Sequence, residues 1–312
     1  MGRHATAGSL LTAVLALIVT LGSHPHATQV PAAPLLWQGR LGTHQLSLFG
    51  TIHVPDARVL ALSPVVKQAF ARADRVVTEI PLDASRQMEL ATALMLPEGQ
   101  RLRAIIGEAR FARLERRVRT ALAPTAPEVA SMVAAMLDRL KPWAAMAQLA
   151  TLDYLPDLLA GRTSLDAQLY ADATAAGKKV GGLETVAEQA GTFDAFSPEE
   201  QSALLDEALR ELESPTPAMT GAALVEWYLE GNGEKLAAAL QQGNGNAALA
   251  RKFQAEVLIK RNHRMADRIE ALRRDAPAET VFVAVGALHL VGPENLPQLL
   301  QARGYDISRV RP

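Results

Sequence analysis

The chain has 312 residues, 49% of them hydrophobic and 21% charged, with a formal net charge of −1. That composition is globular, and with no basic surplus to neutralise phosphates and only 4% aromatic residues it excludes a nucleic-acid-binding role. No cysteine is present, so disulfides and lipidation at cysteine are excluded.

At the amino terminus, Arg3 precedes an uncharged apolar run from Ser9 to about Gly22, followed by a polar, Pro-containing stretch. This is the layout of a secretory signal over residues 1–27, ending at Ala27, with an apolar core too short to span a bilayer comfortably. An uncleaved leader would make it a membrane anchor. Export without cysteine fits a periplasmic or secreted protein.

Two short strands joined at Gly42-Thr43, "LLWQGRL" and "HQLSLFG", are expected over residues 35–50 as a hairpin. Ser63 and Pro64 start a helix in "SPVVKQAFARAD", and "RVVTEI" at 75–80 is a short β-branched strand ending on Glu79. Strand, helix and strand in this order read as a βαβ unit. From about 85 to 160 the Ala- and Leu-rich pattern is helical and is cut by Pro97, Pro124, Pro127 and Pro142. It carries the basic run "RLERRVRT" from Arg113, read as a solvated helix face.

A helix over 165–176 then leads through Gly177 to "KVGGLE", a strand ending at Glu184. Further helices are split by the prolines at 215 and 217 and by Gly/Asn-rich loops, and a long helix covers about 247–274. A strand at 281–286, a helix over about 293–302 and a last short strand complete the chain. The expected fold class is therefore α/β (α+β): one domain over 28–312, with a mixed sheet, βαβ units and a large helical insertion.

One design occurs twice. "LFGTIHVPD" at 48–56 and "VFVAVGALH" at 281–289 are both apolar strands that reach a glycine and place a histidine three residues later, His53 and His289. The remaining histidines after the leader are His44, expected at the surface of the hairpin, and His263, expected in solvent on a helix. Ligand sites in sheets with parallel pairing gather at the carboxyl ends of the strands. Four strands here end in a candidate ligand: His53, Glu79, Glu184 and His289. The glycines are expected to allow a sharp exit that turns each histidine over its strand end.

Two histidines and a carboxylate can hold a divalent ion with an open position for water, and a second carboxylate can take a proton from that water. Singly, each residue has a plainer use: Glu184 as a helix cap, Glu79 as an arginine partner, His53 as a bond to its own turn.

The paired Gly-x-x-His motifs resemble the TraB/GumN family, which includes the Tiki proteases and pheromone-shutdown proteins. "AFARADRVVTEI", "GKKVGGLETVAEQ", "LIKRNHRMADRIEAL" and "VFVAVGALHLVGPENLPQLLQARGYDI" occur in the family's order. The resemblance covers essentially all of the chain after the leader and implies a fold shared with erythromycin esterases and ChaN-like proteins. It places the family's histidines at His53 and His289, its acidic positions at Glu79 and Glu184, and its Arg-Asn pair at Arg261 and Asn262.

The resemblance implies a metal-dependent hydrolase, most simply a peptidase acting on a peptide or small acyl substrate with Mn²⁺, Co²⁺ or Zn²⁺. His53, Glu79 and His289 would be the metal ligands and Glu184 the base, the two glutamates being exchangeable. Arg261 would face an oxyanion or else neutralise the clustered carboxylates, Asn262 would orient a ligand or substrate, and Glu188 and Gln189 would stand behind the site. The alternative is a periplasmic protein that binds a peptide, a metal or a haem-like ligand without turnover.

Overall fold

The computed structural model describes residues 33–124, 126–213, 221–241 and 246–311. The leader and the prolines at 215 and 217 lie outside the described residues. No helix among the described residues is long and apolar enough to cross a membrane.

Six strands, β1 (Leu36–Leu41), β2 (His44–Thr51), β3 (Arg75–Thr78), β4 (Lys179–Gly182), β5 (Thr280–Gly286) and β6 (Asp306–Arg309), form one mixed sheet. Their order is β4-β3-β5-β2-β1-β6. β1 pairs antiparallel with both β2 and β6, while β5 pairs parallel with β2 and with β3. The fold class is the expected α/β arrangement with mixed pairing. One feature of topology differs from the simplest reading of the sequence: β2 and β3 are not neighbours, because β5 lies between them.

The position of β5 explains its composition. Val281, Phe282, Val283, Ala284 and Val285 are all buried, an unbroken apolar run that suits a parallel strand covered on both faces. On one face Phe282 and Ala284 join Phe49, Val76 and helix residues Val66, Ala69, Leu165 and Leu169. On the other, Val281, Val283 and Val285 join Leu46, Leu48, Met265, Ile269, Leu296 and Leu300. Each large side chain in these two layers contributes about 1.5–3 kcal/mol by leaving water.

The middle of the chain is helical, from Ala84–Leu94 through Glu108–Leu122 and Pro142–Thr151 to Leu155–Leu159. It has its own core, in which Leu102, Phe111, Leu114, Val118 and Leu149 meet Leu205 and Leu209. The last two come from the helix Pro198–Glu213, so the helical part is assembled from two stretches of sequence. Arg113 pairs with Asp206 and Glu213, and Arg117 with Asp153, so the basic run works as a helix face cross-linked to its neighbours.

His44 departs from expectation. It is fully buried and packs edge-on against Tyr305 at 6.1 Å between ring centres. Tyr305, in the loop before β6, is the ring that packs against it.

Candidate metal-binding and catalytic site

The carboxyl ends of β2, β3 and β5 bring His53, Glu79 and His289 together. Because β5 is inserted between the other two, His289 enters between the strands that deliver His53 and Glu79. Both Gly-x-x-His glycines owe their identity to close approach. At Gly50 a Cβ would sit 3.1 Å from Ala287 Cα, in the turn Ala287–His289, and at Gly286 it would sit 3.0 Å from Glu79 Oε1. Gly286 has φ −50° and Gly50 is not among the positive-φ residues, so the sharp exit expected at these positions is a matter of missing side chains, with ordinary backbone angles.

Glu79 is the hub. Its Oε1 accepts from the Gly286 N–H at 2.7 Å and lies 3.6 Å from His289 Nε2. Its Oε2 accepts from Arg261 Nη2 at 2.6 Å and from Gln189 Nε2 at 3.0 Å. Burial favours the neutral acid, but Arg261, His289 and His53 outweigh it and hold the Glu79 pKa far below the usual carboxylate range.

Glu184 also lies in the cluster, with a fully buried side chain. Its Oε2 accepts from Arg261 Nε at 2.9 Å and Nη2 at 2.6 Å, and its Oε1 accepts from Arg264 Nε at 3.0 Å and Nη2. Both oxygens are therefore committed to guanidinium groups. A base needs a free oxygen facing its water, so this placement argues against the role expected for Glu184 and makes it the anchor of Arg261. Arg261, 4% exposed, neutralises the clustered carboxylates, the second of its two expected uses. It lies two residues past the end of the π-helical turn Gln254–Ile259, a helical irregularity that recurs at functional sites.

The two histidines are held differently. His289, 3% exposed, has Nδ1 2.6 Å from Asn262 Oδ1. Asn262 Nδ2 donates to the Glu294 carbonyl at 2.9 Å, which fixes the amide and requires His289 Nδ1 to be the donor. Burial pushes the His289 pKa down to about 4, so at neutral pH Nε2 is a bare acceptor facing the Glu79 carboxylate. Asn262 thus orients the His289 ring. Glu294, whose carbonyl it uses, is the non-glycine residue with positive φ among the described residues, at 49°.

His53 has Nδ1 2.8 Å from Asp166 Oδ2, and its ring is 59% exposed. The Asp166 carboxylate raises the His53 pKa, and water at the open ring edge screens the pair. Gln189 stands behind Glu79 as expected. Glu188 does not reach the cluster: it closes a capping box with Thr185 and pairs with Arg268 at 2.6 Å. His263 is half-exposed beside Glu294, at 2.7 Å.

Asp166 is the residue that sequence reasoning missed. An aspartate in the first turn of the helix Leu165–Ala175 reads as a partner of the helix dipole, and nothing in its neighbours' spacing ties it to His53.

Among the described residues no group of three or more His, Cys, Asp or Glu is drawn together closely enough to hold a metal ion. Arg261 supplies the positive charge that binds the carboxylates, and the imidazoles stand back from Glu79. The donor chemistry nevertheless fits a cation. Two acceptors, His289 Nε2 and Glu79 Oε1, face each other at 3.6 Å without a donor between them. The bare face of Gly286 lines the same space: a Cβ there would be 3.7 Å from His289 Cδ2 and 3.9 Å from His53 Nε2.

Burial also lowers the pKa of His44. An unfolded histidine titrates near 6.5, so the unfolded chain takes up the proton first. The contribution of a neutral buried His44 is complete above that pH and is lost as pH falls below it. We expect His44→Phe to lose less stability than the wild type between about pH 7.5 and about pH 5, measured by urea unfolding; an equal loss in both proteins would refute this.

A mixed α/β sheet brings two strand-end histidines, a buried carboxylate hub and an arginine between two glutamates to one end of its strands. The sequence model of the TraB/PrgY/gumN family matches residues 35–309, and the chain belongs to that family. It is 26% identical over 304 residues to the Metalloprotease TIKI homolog of Nematostella vectensis, covering 85% of this chain and 64% of the relative. It is 26% identical to Metalloprotease TIKI1 of Danio rerio (84% of this chain, 60% of the relative) and 25% identical to Metalloprotease TIKI1 of Homo sapiens (83% and 59%). The chain thus spans less than two thirds of the length of these relatives. No solved structure matches it.

Proposed function

We propose that this chain is an exported, divalent-metal-dependent hydrolase, most simply a peptidase, acting on a peptide or a comparable acyl bond. The observation that carries this reading is the meeting of His53, Glu79 and His289 around the bare face of Gly286, and the similarity to proteins named metalloproteases supports the reaction class. The apolar segment near the amino terminus supports export to the periplasm or beyond.

His53 Nε2, His289 Nε2 and Glu79 Oε1 are the atoms that would hold the ion. A bound Mn²⁺, Co²⁺ or Zn²⁺ would supply Lewis acidity, lowering the pKa of a water and polarising the scissile carbonyl. The chain's own groups prepare for that chemistry. Asn262 keeps the His289 proton on Nδ1 and its Nε2 lone pair free. Arg261 keeps Glu79 ionised where burial alone would protonate it, and Gln189 fixes the same carboxylate from the side. Glu184 holds Arg261 in register. The exposed edge of His53 is the side on which a substrate meets the centre.

A second reading, capture of a ligand without turnover, is favoured by one observation: Glu184 is fully committed to Arg261 and Arg264, so among the described residues no free carboxylate stands beside the three donors.

The test is metal content. Full-length protein loaded in turn with Mn²⁺, Co²⁺ and Zn²⁺ is expected to retain near-stoichiometric ion, and His53→Ala and His289→Ala are each expected to lose it. A folded wild type that retains no ion overturns the hydrolase. Retained ion without cleavage of any member of a peptide library moves the assignment to the second reading.

A further inference from the structure

We infer that Asp166, backed by Thr51, is the positioning residue of His53, holding its ring so that Nε2 faces the space beside Gly286. This rests on the reading of His53 as a ligand residue, and it concerns a residue that enters from a separate part of the chain.

The Asp166 side chain is 8% exposed and both of its oxygens are used at one end of the sheet. Oδ2 meets His53 Nδ1 at 2.8 Å, and Oδ1 accepts from Thr51 Oγ1 at 2.6 Å. Among the described residues its ion-pair partner is His53, with no lysine or arginine alongside. Burying a carboxylate is costly unless it is paired and bonded, so the arrangement is difficult to explain as packing alone. Thr51 is 1% exposed, closes β2 two residues before His53, and pairs in register with Gly286. The helix bearing Asp166 is fixed from below by Leu165 and Leu169, both fully buried. Thr51 and Asp166 are therefore enclosed, while the ring they hold is open to solvent.

His53 needs such a clamp because its ring is 59% exposed and packing does not immobilise it. His289 is enclosed, and an amide suffices to orient it. An ionised carboxylate can only accept, so Asp166 requires the hydrogen on Nδ1 and leaves Nε2 as the atom presented to a ligand. A carboxylate behind an imidazole also strengthens it as a donor, and loss of such a partner typically costs about 10–100-fold in metal affinity.

The experiment uses the full-length protein and two readouts. The first, on metal-free protein, is the hydrogen-bonded Nδ1–H of His53 in ¹⁵N-edited NMR, assigned by its loss in His53→Ala. The second is Co²⁺ affinity by equilibrium titration. In Asp166→Ala the ring resonance is expected to disappear and Co²⁺ affinity to fall about 10–100-fold. Thr51→Val is expected to give a smaller fall in the same direction, and Thr51→Ser to restore it, which keeps the test alive if Asp166→Ala does not fold.

A resonance that persists in Asp166→Ala overturns the inference whatever the metal does. So does a variant that melts earlier yet keeps wild-type Co²⁺ affinity, since that is the mark of a structural carboxylate. If the wild type binds no Co²⁺ while Asp166→Ala loses the resonance, Asp166 stands as the orienting group and the hydrolase reading falls.

Discussion

Replacing Arg261 with methionine is expected to destabilise the protein by about 3–5 kcal/mol, because it leaves two carboxylates buried with one cation between them removed. Arg261 Nη2 bonds both Glu79 Oε2 and Glu184 Oε2 at 2.6 Å, in a place where the guanidinium is 4% exposed. Arg264 remains on the other oxygen of Glu184, so Glu79 bears most of the loss. Urea unfolding near neutral pH measures it.

The pH dependence gives the sign. The native Glu79 pKa lies below its ordinary 4.5, so its contribution is present above that value and is lost as pH falls through it. In Arg261→Met the acid limb of the stability profile is expected to flatten. Adding Glu79→Gln is expected to restore part of the lost stability, as the charge that had no partner is gone. A loss below about 1 kcal/mol, typical of an exposed pair, would show that the carboxylates are not held as a charged cluster.

The second large effect is expected from a single methyl group. In Gly286→Ala the new Cβ stands 3.0 Å from Glu79 Oε1 and within 4 Å of both His289 Cδ2 and His53 Nε2. It occupies the space toward which the donors point. The helices and both core layers are untouched, so the protein is expected to fold, with bound metal lost and any hydrolysis reduced by about 10²-fold, the cost of displacing reacting groups by about an ångström. Metal analysis beside a thermal melt separates this from simple unfolding. Undiminished metal in Gly286→Ala would show that the ion, if present, sits elsewhere.

Much of this site is legible in the chain because strand-end positions leave a signature. A β-branched run that reaches a glycine and then a histidine identifies both an element and the residue that it presents, and two such runs point to one edge of a sheet. Glu79 and Glu184 are legible on the same ground. What the residues exchange with one another is not. Whether a buried glutamate is a base or an anchor depends on how many guanidinium groups reach it, and Arg264 gave no sign in sequence that it would take the second oxygen of Glu184.

Asp166 was hidden for a related reason: its helix-start position already has a sufficient local explanation. His44 misleads in the opposite sense, since a polar residue at a hairpin start reads as exposed until the strand order shows what covers it. Strand order itself is poorly encoded, because strands adjacent in sequence are usually adjacent in space, and β2 and β3 are not.

The insertion of β5 between β2 and β3 also sets the order of events at synthesis. Gln45 faces Thr280 across a parallel ladder, so the middle of the sheet waits for a strand made more than two hundred residues later. Pairings this distant are slow to form and are formed late. A nascent or truncated chain that lacks β5 has His53 and Glu79 on strands with nothing between them. The candidate site is therefore incomplete until β5 docks between them and brings His289 to the other two residues.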